Sequence, residues 1–197
     1  MSGVRTFIAV ELTGPVKAEL ARLQLALKRV PCPVKWVAPE GIHLTLCFLG
    51  ELSSAQIDTV HGVMTQVSGC FGPFRLETSG PGAFPSLMQP QTLWVGLAGE
   101  LTTLSELHRE CEVKLHSIGY RLEGRPFRPH LTIARVQSEA TPAARREMGE
   151  ALSRLGMATI PVGVSQISLM KSTLNPTGAV YSCLYRRGLA GGGKLPA

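Results

Sequence analysis

The chain reads as an α+β protein, with helices packed on antiparallel-rich sheets. Three observations lead there. Apolar periodicity alternates between the strand repeat of two and the helical repeat along the 197 residues. No glycine fingerprint for a dinucleotide follows the first strand, which argues against a doubly wound parallel sheet. One short strand sequence occurs twice, as Ile42-His-Leu-Thr-Leu46 and Pro129-His-Leu-Thr-Ile133, offset by 130 − 43 = 87 residues. That offset is about half the chain and too long for a solenoid repeat, so it fits two lobes that each contribute one equivalent strand.

The elements follow in order. Arg5 to Leu12 is rich in β-branched and aromatic residues and reads as a strand. Thr13 is placed as an N-cap, with Pro15 in the first turn. Val16, Leu20, Leu23 and Leu27 then recur at helical spacing, opposite Lys17, Glu19, Arg22 and Lys28, and the helix ends near Val30 before Pro31 and Pro33. Val34 to Val37 is a short strand, Pro39-Glu40-Gly41 a turn, and Ile42 to Leu49 a strongly apolar strand stopped by Gly50. Ser53 and Ser54 open a helix that runs to about Ser68, and Gly69 to Pro73 breaks it.

Phe74 to Thr78 reads as a strand, Ser79 to Gln91 as a long Gly- and Pro-rich loop, and Thr92 to Leu97 as a strand. The next helix, Glu100 to Ser117, points Leu101, Leu104, Leu107, Cys111 and Leu115 inward, with Gly119 placed as its C′ residue. Gly124 to Pro129 is loop-like and His130 to Val136 a strand. Thr141-Pro142 starts a helix that ends near Gly156. Ile160 to Met170 and Ala179 to Tyr185 are strands joined by the turn Asn175-Pro176-Thr177-Gly178. Residues 1–187 therefore form the domain, and residues 188–197 a glycine-rich tail expected to be mobile.

A net charge of +6 favours polyanionic partners, nucleic acid first among them, although the basic residues are scattered rather than gathered in one tract. The five cysteines include no Cys-x-x-Cys pair, so neither a zinc site nor a disulfide framework is indicated, and a reducing cytoplasm is expected. The N-terminal apolar run stops at Glu11, which is too soon for a secretory signal, and no run reaches the ~20 residues of a membrane helix.

Residues two apart on a strand face the same side, so His43 and Thr45 project together, as do His130 and Thr132. A single His-x-Thr in an apolar strand is ordinarily structural; two copies in matching contexts point to one site. An imidazole titrates near neutral pH, so a pair of them can activate a nucleophile on one side of a phosphodiester and protonate the leaving oxygen on the other. Hydroxyls beside them suit the non-bridging oxygens. By the same counting, Arg128 falls on the side of His130 and becomes a candidate phosphate contact, while Arg135 falls on the opposite side. Phe48 and Trp94 offer surfaces for a nucleobase, but their apolar surroundings favour core packing. His61, His108 and His116 fall on helices without metal-ligand spacing and read as ordinary helix residues.

Together with Arg5-Thr-Phe-Ile-Ala-Val-Glu-Leu12, Val34 through Gly50, Phe127 through Arg135, and Ser172-Thr-Leu-Asn-Pro-Thr-Gly178 before Tyr181, these motifs make the chain resemble the two-histidine phosphoesterase superfamily. The similar branch is that of the bacterial and archaeal RNA 2′,3′-cyclic phosphodiesterases, also called 2′-5′ RNA ligases. The resemblance implies a bilobal fold with pseudo-two-fold symmetry and a cleft between the lobes. It implies hydrolysis of an RNA 2′,3′-cyclic phosphate end, such as that of a tRNA fragment, to a 2′-phosphate, with no metal and no cofactor. It implies His43 as proton donor, His130 as proton acceptor, and Thr45 and Thr132 as phosphate-holding hydroxyls. Two alternatives stay open: ATP-independent 2′-5′ end joining by the reverse chemistry, and an RNA-end-binding module without turnover. A monomer is the default assembly.

Overall fold

The computed structural model describes residues 3–120, 126–175 and 178–191. The turn residues Pro176 and Thr177, part of the Gly124–Pro129 segment and the tail beyond Gly191 lie outside the described residues. The chain order is β1 (Val4–Glu11), α1 (Gly14–Leu27), β2 (Val34–Trp36), a 3₁₀ turn (Pro39–Gly41), β3 (His43–Leu52), α2 (Ser54–Ser68), β4 (Phe74–Phe84) and β5 (Thr92–Gly99). It continues with α3 (Leu101–Ser117), β6 (His130–Val136), α4 (Pro142–Arg154), β7 (Pro161–Val164), β8 (Gln166–Asn175) and β9 (Gly178–Gly188).

The strands form one sheet in the order β7-β4-β5-β6-β3-β1-β8-β9, with β2 added on β6, and every pairing is antiparallel. The two lobes are thus the two halves of that sheet. They meet where β3 pairs β6, and that ladder consists of Leu44↔Leu131. The strands carrying the two repeated motifs are therefore the central neighbours.

Helix starts follow the capping residues. Ser53 and Gln56 form a reciprocal capping box at α2, and the Thr141 hydroxyl accepts from Ala144 N–H at α4. Helical Val16, Leu20, Leu23, Val60, Met64, Leu104, Leu107 and Leu152 are buried together with Ile8, Leu44, Leu131, Ile133 and Leu169 of the sheet in one core. A smaller cluster of Phe7, Ala9 and Met170, with Tyr181 and Cys183 against it, is separate from that core. Alternation along β1 sends Phe7 and Ala9 to the opposite face from Ile8 and Val10.

Three expectations change. The segment from Ser79 to Gln91 is not all loop: β4 continues to Phe84, pairing Pro81 through Phe84 with Val95 back to Thr92 after an irregularity at Thr78/Pro81. Its proline and glycines lie beside that irregularity, where missing donors and side chains are tolerated. The single strand expected from Ile160 to Met170 is two strands, β7 and β8, which pair with opposite ends of the sheet. The first residues of the tail are held rather than mobile. Leu189 is buried, and the amides of Leu189, Ala190 and Gly191 donate to the carbonyls of Ser165, Ser68 and Phe71.

Candidate active site

The β3–β6 register organises the site. Continuing from Leu44↔Leu131 by one residue each way sets His43 opposite Thr132 and Thr45 opposite His130. Opposed residues share a face of the sheet, so all four side chains stand on the face away from the core leucines. Each imidazole faces the other motif's hydroxyl. The two histidines are diagonal neighbours, a relationship that spans roughly 7–8 Å in an antiparallel pair.

Both rings are fixed in the same way. His43 Nδ1 lies 2.7 Å from the Gly41 carbonyl and His130 Nδ1 lies 2.6 Å from the Arg128 carbonyl, each two residues upstream. A carbonyl accepts only, so both imidazoles donate from Nδ1 and leave Nε2 for the open face. Gly41 ends the 3₁₀ turn, and a β-carbon there would come within 3.1 Å of the Tyr181 ring. Glycine at this position lets Tyr181 pack edge-on against His43, with ring centroids 4.9 Å apart.

The walls differ. Phe7 stacks on His43 at 4.5 Å and an interplanar angle of 23°. Burial among these rings pushes the His43 pKa down, with the Gly41 hydrogen bond and the Glu11 carboxylate pushing back. Glu11 sits opposite His43 on β1, holds a two-pronged contact with Arg186 at 2.8 and 3.1 Å, and accepts from the buried Ser168 hydroxyl at 2.6 Å. Arg186 is the main reason the Glu11 carboxyl lies below its usual pKa. Around His130, Phe84 presents its edge at 5.0 Å and Trp94 lies at 6.5 Å.

Each motif strand carries a bulge at the same place. In β3, Ile8 pairs Cys47 and Ala9 pairs Thr45, which leaves Leu46 as the extra residue. In β6, Leu93 pairs Ala134 and Trp94 pairs Thr132, which leaves Ile133 extra. Both residues after each threonine are buried, and the third returns to the open face. Those third residues are Phe48 and Arg135. This corrects two expectations, one for Phe48 drawn from its apolar surroundings and one for Arg135 drawn from strict alternation. Phe48 is 52% exposed instead of packed in the core. Arg135 is on the same side as His130 and Thr132 and lines the cleft. Its cross-strand neighbour is Lys35, which also lines the cleft. Like charges directly opposed disfavour the bare sheet and suit an anion between them.

The cleft has a volume of about 800 Å³, and His43, Thr45, Thr132, Phe48, Arg135 and Tyr181 are among its walls. Arg128 precedes β6 in an irregular stretch; its carbonyl holds His130 Nδ1 and its side chain is exposed. Trp94 is half-buried beside His130. His61 and His108 lie on α2 and α3, stacked on Tyr185 and Phe127 respectively. Among the described residues, no three His, Cys, Asp or Glu side chains gather as metal ligands. Nor is any helix among them long and apolar enough to cross a membrane.

The 2′-5′ RNA ligase superfamily profile matches residues 9–175, most of the chain and both motifs. The chain belongs to the 2′-5′ RNA ligase superfamily. An RNA 2′,3′-cyclic phosphodiesterase of Methanothermobacter thermautotrophicus is 32% identical over 182 residues, which is 91% of this chain and 95% of that protein. One from Aeropyrum pernix is 34% identical, covering 89% of this chain and 98% of its own. Among solved structures, TT0787 of Thermus thermophilus superposes with a TM-score of 0.80 at 27% identity, over 96% of this chain and all of that one. E. coli LigT complexed with 3′-AMP shares the fold, with a TM-score of 0.74 at 21% identity over 95% of this chain and 99% of its own.

Sequence reading misses Glu11, Lys35 and Gln24. Glu11 and Lys35 look like ordinary charges of their strands, and the pairing that brings them to the motifs is long-range. Gln24 carries a signal: a polar residue within the apolar stripe of α1.

Proposed function

We propose that the chain hydrolyses RNA ends carrying a 2′,3′-cyclic phosphate and leaves a 2′-phosphate. One observation carries the reading. Two imidazoles, one from each half of the sheet, are tethered through Nδ1 on the face that also bears two threonine hydroxyls. The relatives named RNA 2′,3′-cyclic phosphodiesterases, matched along nearly their whole length, support the substrate.

In this reading His130 Nε2 takes a proton from water as the water oxygen bonds to phosphorus. The bond between phosphorus and the ribose O3′ breaks, and His43 Nε2 gives its proton to O3′. His130 ends protonated and His43 neutral, and exchange with solvent resets both. Thr45 and Thr132 donate to the non-bridging oxygens as charge shifts onto them. The two histidines supply both proton transfers, so the proposed cycle is metal-independent.

Burial favours neutral His43 in the empty cleft, whereas the donor role needs it charged. The phosphate's own negative charge favours the protonated ring once substrate is seated. Arg135 and Lys35 extend the anionic preference along the cleft wall, which favours an RNA end over a lone cyclic nucleotide. The working unit is proposed as a monomer, a single domain that takes in the held residues 188–191, in a reducing cytoplasm.

The test is incubation with a 2′,3′-cyclic-phosphate RNA in EDTA. Turnover to a 2′-phosphate is expected. A 3′-phosphate product would reverse the roles of the ribose oxygens, and loss of turnover in EDTA would replace the metal-independent cycle. An added 5′-hydroxyl RNA separates hydrolysis from end joining in the same tube.

A further inference from the structure

We propose that Gln24, a residue of α1 that does not itself line the cleft, positions both motifs of the active site at once. The inference rests on the phosphodiesterase reading. Gln24 is 2% exposed and sits on the face of α1 that otherwise buries Val16, Leu20, Leu23 and Leu27. Its Nε2 donates to two carbonyls, Val37 at 2.7 Å and Ile133 at 2.8 Å. An amide nitrogen has two hydrogens, so both are spent on these contacts.

One acceptor belongs to the second motif's strand, and the other lies four residues before Gly41, whose carbonyl holds His43. Ile133 is the bulge residue of β6, between Thr132 and the Ala134-Arg135 pair. Ile133 is extra only against β5; toward β2 its carbonyl takes Val37 N–H at 3.0 Å, which continues the β2–β6 register, and it accepts from the Gln24 amide as well. Val37 stands where the chain leaves β2 for the 3₁₀ turn Pro39–Gly41. Gly41 then offers the carbonyl that fixes His43 Nδ1. One buried side chain therefore ties the turn that orients His43 to the bulge that aims Thr132 and Arg135. Both acceptors lie on the β6 side, because β2 pairs with β6, and the chain runs from Val37 through the 3₁₀ turn into β3, where the other half of the sheet begins at Leu44↔Leu131.

A burial role alone would be served by leucine or methionine. Glutamine in an apolar stripe carries the cost of desolvating an amide, and that cost is met only if the bonds it makes matter. The cross-link acts through Gly41 and Ile133 on the reacting groups, so Gln24 is a positioning residue.

Gln24→Met keeps the length and volume and removes both donors. The expected result is a fall in kcat of ~10–100-fold, the usual effect of removing an orienting partner. KM should change far less, and the His43 limb of the pH profile should move toward the ordinary imidazole value as the ring loosens. Nitrogen-15 spectra should show His43 losing its preference for the Nδ1–H tautomer. Leu20→Ala, on the same buried face, is the control: it lowers the unfolding temperature without moving the pH profile or the tautomer signal. The proposal is overturned if Gln24→Met, assayed where it is folded, keeps wild-type kcat and pH profile. It is also overturned if Leu20→Ala shifts both to the same extent. Wild-type protein inactive on cyclic ends would defeat the underlying function instead, an outcome visible before any variant is made.

Discussion

The two halves of the sheet share a backbone and differ in their walls. Each presents His-x-Thr, tethers its imidazole to the carbonyl two residues back, and inserts a bulge after the threonine. Around His43 the walls are close: Phe7 lies flat on the ring, Tyr181 meets it edge-on, and Glu11 faces it across the strand pair. Around His130, the position equivalent to Glu11 is Gly96, and the nearest aromatic ring stands edge-on at 5.0 Å. Duplication can thus place two chemically identical groups symmetrically, while residues outside the repeat make them unequal. The closer walls hold His43 toward the neutral form in the empty cleft, so the charged donor that the proposed cycle needs depends on the negative charge of the seated phosphate.

The strongest way to break the comparison is to remove either ring. His43→Ala and His130→Ala should each lower kcat on a cyclic-phosphate RNA by ~10²–10⁴-fold, the range for a positioned acid or base. The two losses should not multiply in the double variant, since the groups act in one step. Circular dichroism should remain native, because both rings lie off the main core. If one variant retains wild-type turnover while the other loses it, the site does not work as a pair.

That pairing is legible in sequence because period-two alternation and an 87-residue offset can be read along the chain without knowing any partner strand. Most element boundaries are legible for a similar reason: Ser53-x-x-Gln56 and Thr141-Pro142 announce helix starts through bonds made within one turn. The bulges are not legible. An extra residue is defined by the partner strand, and the strands against which Leu46 and Ile133 are extra are β1 and β5. Counting by two therefore puts Arg135 on the wrong face, and the apolar neighbours of Phe48 suggest a core position that the bulge takes it out of. The same cause hides Lys35, which reaches the cleft through its pairing with Arg135. The β4 extension escapes notice because its glycines and proline have the composition of a loop, although its partner strand holds them in a ladder.

A milder test works on protonation. The His43 pKa is lowered mainly by burial. In the donor role His43 must be charged, so its titration sets the alkaline limb of the rate profile. That limb should fall at lower pH in kcat/KM, which reports the empty cleft, than in kcat, which reports the site with the phosphate anion seated. Phe7→Leu opens the flat wall to water and should move the kcat/KM limb upward, toward the ordinary value of about 6.5. Stability carries the matching sign. A histidine with a depressed folded-state pKa binds its proton more readily when unfolded, so its contribution is complete above the unfolded pKa and declines as pH falls toward the folded one. Phe7→Leu should flatten that acid-side loss in thermal unfolding. Coincident limbs in kcat and kcat/KM would remove the phosphate from the argument.

The smallest expected effect probes the other wall. On β4, Gly82 pairs Trp94, and a β-carbon there would lie 2.3 Å from the indole ring. The equivalent place in the other half pairs Ser168 with Ala9, so a small residue on the inner strand is matched there by a side chain, and a large one here by none. The two halves thus fill similar space with opposite choices of residue. Gly82→Ala must displace Trp94, whose ring flanks both Phe84 and His130. Since the His130 tether to the Arg128 carbonyl is untouched, the ring should keep its tautomer and lose only part of its packing. A several-fold fall in kcat is expected, below the ~10²-fold cost of a full ångström of misplacement, with the alkaline limb set by His43 unmoved. A shifted alkaline limb would mean that the walls communicate across β3 and β6, and that the inequality of the histidines belongs to the whole cleft rather than to each half.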